Sequence, residues 1–61
     1  MYTYEYNLIN DGQLKKDYTL IIFLGNNVIE SRIVQFNKDA TQEELHNYAH
    51  SVIQYLEGLE E

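Results

Sequence analysis

His46 and His50 stand four residues apart in a stretch of helical pattern, so both imidazoles fall on one helix face. Two imidazoles at that spacing can share a zinc ion. The run His46-Asn47-Tyr48-Ala49-His50 has no glutamate after its first histidine, so the general base of a zinc peptidase is missing. Projection of the helix puts Glu43 and Glu57 beside the pair at the edge of its face, yet two ligands do not make a closed site. The preferred reading is a solvated helix face, with His46 and His50 kept as candidate metal ligands and no metal or other cofactor expected. Protonating both imidazoles would take the net charge from -6 to -4, so binding that depends on acidity should respond at about pH 6–7.

Nucleophilic chemistry finds no support. Ser31 and Ser51 are the only serines, neither lies in a nucleophile elbow, and there is no glycine-rich phosphate loop. A chain of 61 residues also has little room for a pocket, so no enzyme activity is expected.

What remains able to act is a charge pattern and a set of aromatic residues. Residues 1–38 hold Lys15, Lys16, Arg32 and Lys38 against Glu5, Asp11, Asp17 and Glu30, and are neutral. The whole excess of -6 therefore sits in residues 39–61, on Asp39, Glu43, Glu44, Glu57, Glu60 and Glu61. Glu43 and Glu44 suit the first turn of a helix, where carboxylates complement the dipole. Glu57, Glu60 and Glu61 do not, and form with them an acidic surface that either keeps the chain in solution or meets a basic partner, as a nucleic-acid mimic would.

These residues must be positioned by a small fold. With no cysteine there is neither a disulfide nor a thiolate metal site, and a chain this short is marginal unless it oligomerises. Six tyrosines, two phenylalanines and 44% apolar residues make it too hydrophobic for a disordered chain. The longest apolar run, Leu20 to Leu24, is too short to cross a bilayer, and no secretory pattern opens the sequence, so the expected compartment is the cytoplasm.

Alternation and turn residues predict strands over about 2–9, 13–24 and 28–36, with Asp11-Gly12 and Asn26-Asn27 as central turn residues. Thr41-Gln42-Glu43-Glu44 has the spacing of a capping box and opens a helix over about 41–58. The expected fold is a single α+β domain over 1–61: a three-stranded antiparallel meander followed by one C-terminal helix packed on one sheet face. With those turns, Ile9 faces Leu14 and Leu24 faces Ile29. Leu20, Ile22, Leu24, Ile29 and Ile33 then form the floor for a helix stripe of Leu45, Ala49, Val52, Leu56 and Leu59. The opposite face is expected to carry Tyr2, Tyr4, Tyr6, Leu8, Ile21, Phe23, Val34 and Phe36, interspersed with Lys15, Asp17, Thr19, Glu30 and Arg32.

One helix cannot cover both faces, and an open aromatic surface of this size calls for a cover. The expected interface is Tyr2, Tyr4, Tyr6, Ile21, Phe23, Arg32, Val34 and Phe36, serving a homodimer or another protein. The expected function is that of a small acidic binding protein that inhibits or regulates a basic or nucleic-acid-binding protein partner, as phage or mobile-element inhibitors and antitoxins do. The alternatives are a nucleic-acid-binding module using Lys15, Lys16 and Arg32, or a structural subunit of a larger assembly. Three strands followed by a helix resemble some DNA-binding and double-stranded RNA-binding domains, but four basic residues are few for phosphate contacts. The segment from Thr41-Gln42-Glu43-Glu44-Leu45 through Tyr55-Leu56-Glu57-Gly58-Leu59-Glu60 resembles the helix of the HicB antitoxin family, whose small acidic members bind a basic RNase toxin. That family's proline- and glycine-containing segment between sheet and helix has no counterpart in this proline-free chain, so no membership is assigned.

Overall fold

The structure is a computed structural model that describes residues 1–59. Three strands, β1 (Tyr2–Asp11), β2 (Lys15–Leu24) and β3 (Asn27–Asn37), precede one helix, α1 (Gln42–Leu59). The strands form one antiparallel sheet in the order β1-β2-β3, and α1 lies across one face, which is the predicted α+β arrangement.

The helix starts where its capping residues require. Glu44 N donates to Thr41 Oγ1 over 3.3 Å, and Thr41 N donates to Glu44 Oε2 over 3.0 Å, so two amides of the first turn are satisfied reciprocally. From there Leu45, Ala49, Val52 and Ile53 are buried, at the three- and four-residue spacing of one helical face. Leu56 is half-buried, and Leu59, expected on this stripe, is exposed.

Both turns differ from expectation, and the consequence runs through the whole sheet. Asp11 pairs with Lys16, so the first connection is a loop and not a two-residue turn. Gly12 N donates to Lys15 O over 2.9 Å, and a Cβ on Gly12 would lie 2.8 Å from that same oxygen, so glycine is required here for close approach. At the second turn Leu24 pairs with Asn27, which makes Gly25-Asn26 the central pair. Gly25 takes φ +63°, and no other residue described has a positive φ, so glycine leads the turn as in the type II′ pattern.

Each of the two ladders is thereby displaced by an odd number of residues from the expected register. Tyr2 faces Leu24, Tyr4 faces Ile22 and Tyr6 faces Leu20, while Tyr18 faces Val34 and Lys16 faces Phe36. Because side chains alternate with period two, an odd displacement moves a strand's whole set to the other face. Tyr2, Tyr4, Tyr6, Leu8, Arg32, Val34 and Phe36 therefore join Leu20 and Ile22 on the helix side, where the expected floor had placed Ile29 and Ile33 instead. The core is Leu20, Ile22 and Val34 from the sheet with Ala49, Val52 and Ile53 from the helix, and Tyr2, Tyr4, Tyr6, Tyr18, Phe36, Tyr48 and Leu56 pack around it.

Candidate functional site

Aromatic rings fix α1 to the sheet and so decide which face is left over. Tyr4 and Tyr6 meet edge to face at 5.7 Å, Tyr6 contacts Tyr18 at 5.6 Å, and Tyr18 contacts Phe36 at 6.0 Å. Phe36 in turn meets Tyr48 of the helix at 5.8 Å and 88°, completing a chain of T-shaped contacts across all three strands. Tyr6 Oη donates to the carbonyl of Leu45 over 2.7 Å. Burial pushes the Tyr6 phenol up to about 12, with smaller contributions from Tyr4 and Tyr48. The tyrosines expected to face outward are thus the bed of the helix.

The face away from the helix carries Thr3, Glu5 and Asn7 from β1, Asp17, Thr19, Ile21 and Phe23 from β2, and Ser31, Ile33 and Gln35 from β3. Of the expected interface residues, Ile21 and Phe23 are the two that lie here. Val28 pairs with Phe23 and Ile33 with Thr19, which draws Ile21, Phe23, Val28 and Ile33 into one apolar patch. Ile33 is 74% exposed. Glu5, midway along the edge strand β1, stands opposite Ile21. Near one end Asp17 accepts from Gln35 Nε2 at 2.9 Å and from Asn10 Nδ2 at 3.4 Å. Val28 and Ile33 could have been found in the sequence only with the correct register.

The basic residues do not converge. Lys15 and Lys16 are neighbours in β2 and point to opposite faces, while Arg32 sits midway along β3 opposite Leu20. Arg32 Nη2 pairs with Glu30 Oε2 at 2.7 Å, and its Nη1 donates to Tyr48 Oη at 3.4 Å. The bond to Tyr48 leads in holding the Arg32 guanidinium above its ordinary pKa; burial opposes it, and Glu30 assists.

On α1, Glu43, Glu44 and Glu57 are exposed, and Glu44 also serves the cap. Glu60 and Glu61 lie outside the described residues. His46 and His50 are exposed on one face, with ring centroids 5.8 Å apart and an angle of 25° between the rings. Tyr4 Oη and His46 Nδ1 share a hydrogen bond of 2.8 Å, a contact the sequence pattern did not reveal. Among the described residues no group of three His, Cys, Asp or Glu side chains comes together around a metal position. No described helix is long and apolar enough to cross a membrane.

Comparison with protein-family models, with curated proteins and with solved structures finds no match to this chain. The site is therefore defined by its own geometry: a sheet with one aromatic face under a helix and one face bare.

Proposed function

We propose that this chain is a non-catalytic binding protein that docks a partner protein on the bare sheet face and regulates or inhibits it by occupying its surface. The observation that carries this reading is the apolar patch of Ile21, Phe23, Val28 and Ile33, which the single helix leaves without a covering layer. The charges on the same face are Glu5 midway along β1 and Asp17 near the end that also carries Lys15, so two carboxylates against one ammonium favour a partner bringing basic side chains. The acidic helix lies on the other side of a body measuring 40 × 18 × 15 Å. At a Debye length of about 8 Å in physiological salt, its carboxylates contribute little to contacts made across the sheet. They instead add to the long-range field that steers approach.

The test is affinity capture from host extract with the whole chain against the variant Phe23→Ser/Ile33→Asp, with circular dichroism confirming that both are folded. A discrete protein retained by the parent chain and lost by the variant is expected, with retention falling as salt is raised. Capture that survives the double substitution, or no discrete partner at all, would refute docking on this face.

A further inference from the structure

β3 has an outer edge that does not belong to the bare face just described, and its sequence is complementary to itself. We propose that two copies of this chain pair antiparallel along β3 about a twofold axis at Ser31, with Glu30 of each copy opposite Arg32 of the other. A twofold contact requires that residue i meet j while j meets i, and an antiparallel strand pair satisfies that along its own length. Cross-strand neighbours must also lie on the same face, so the axis can pass only through a residue or between residues that keep the faces matched. An axis at Glu30 or at Arg32 would oppose like charges. At Ser31 it opposes Glu30 to Arg32 twice on the helix side, and brings Ile29, at the irregularity of the strand, across from Ile33 twice.

The groups concerned are placed for this. Glu30 and Arg32 already pair within the strand at 2.7 Å, so the second copy extends an existing ion pair into a reciprocal set of four charges that sums to zero. Ile33 is 74% and Ile29 41% exposed. β3 itself contains neither proline nor lysine, the residues that commonly guard an edge. The helix bonds to β1 through Tyr4 and Tyr6, and between α1 and β3 it leaves a groove lined by Arg32, Tyr48, Ser51, Val52 and Tyr55. Tyr55 stands 65% exposed beside this edge.

The other edge is poorer by the same criteria. β1 is interrupted between Leu8 and Asn10, and it carries Glu5 and Asp11 with no basic residue, so doubling it gathers like charge. β3 is irregular too, at Ile29, but the five residues 29–33 that the proposed axis brings together include both members of the charge pair. A second copy is favoured over a foreign strand by this self-complementarity and by size. With seven buried core side chains among the described residues and no cysteine for a disulfide, a fold this small gains stability by association.

Sedimentation equilibrium of the whole chain from micromolar to millimolar concentration tests the proposal. The expected species has twice the 7.2 kDa chain mass. Glu30→Arg and Arg32→Glu should each weaken association by about a hundredfold or more, because like charges then face each other. Mixing the two should restore a heterodimer, an outcome that the ion pair within one strand cannot produce. Amide exchange on the unsubstituted chain decides the matter should either variant fail to fold: the amides of residues 29–33 should become slower as concentration rises, and those of β1 should not. A monomer throughout, folded variants that do not combine, or protection along β1 instead would overturn the proposal. Ile33 belongs to both surfaces, but Glu30 and Arg32 lie on the helix side, so Glu30→Arg and Arg32→Glu leave the side chains of the bare face unchanged and partner capture by these folded variants separates the two readings.

Discussion

Adjacent residues of β2 live in different environments. Leu20 and Ile22 are fully buried beneath α1, whereas Ile21 and Phe23, equally apolar, are only half-buried on the other side of the same strand. Nothing in side-chain hydrophobicity distinguishes the two pairs. What separates them is the layer above: tyrosine and phenylalanine rings packed edge to face, closed by Ala49, Val52 and Ile53 of the helix. The lesson is that both faces were built from apolar residues, and the tyrosines went to the face where their hydroxyls could reach the helix, as Tyr6 does at Leu45.

The sharpest way to break this contrast is to shorten the buried pair. Leu20→Ala or Ile22→Ala should cost roughly 2–5 kcal/mol, as deletions from packed cores do. A core of this size supplies on the order of 3–5 kcal/mol in total, so urea denaturation should find either variant largely unfolded at room temperature. Tyr6→Phe keeps the ring and removes the hydroxyl, and should cost about 1 kcal/mol for the bond to Leu45. The same variant sharpens the comparison through pH. The Tyr6 phenol titrates at about 12 when folded against 10.0 for the free side chain, so its neutral form favours the folded state. That contribution is complete below pH 10 and is lost as pH rises from 10 toward 12. Denaturation midpoints measured across this window should therefore fall less steeply for Tyr6→Phe than for the parent.

Thr41→Ala, which breaks the reciprocal cap at the start of α1, should lower stability by about 1 kcal/mol in the same assay. The smallest effect belongs to the bare face. Ile33→Asp should change the stability of the isolated monomer by no more than about 0.5 kcal/mol, since little is buried there to lose. A cost comparable with that of Leu20→Ala would show that the face is not bare.

The elements were legible in the sequence because each carries a local cause. Alternation marked the three strands to within two residues, and Thr41 with Glu44 fixed the start of the helix. The buried stripe was read correctly at Leu45, Ala49 and Val52, missing Ile53 and including the exposed Leu59. The register was not legible, because β2 is apolar on both faces and offers no pattern to choose between them. The turns decided it instead, and Asp11-Gly12, which looks like a two-residue hairpin, opens a longer loop because Gly12 is needed for its approach to Lys15. From that loop Tyr2, Tyr4 and Tyr6 passed from a supposed interface to the helix side; from the second turn, centred on Gly25-Asn26 and not on Asn26-Asn27, Phe36 followed them and Ile33 moved to the open side.

The tyrosine face lies beneath the helix, and proton–proton contacts in a nuclear Overhauser spectrum read that placement directly. The prediction is cross-peaks from the Tyr6 ring to Leu45 and from the Phe36 ring to Tyr48, with none linking Ile33 or Phe23 to any residue of α1. Cross-peaks from Ile33 or Phe23 to the helix, with the Tyr6 ring silent toward it, would contradict the register and the functional reading built on it.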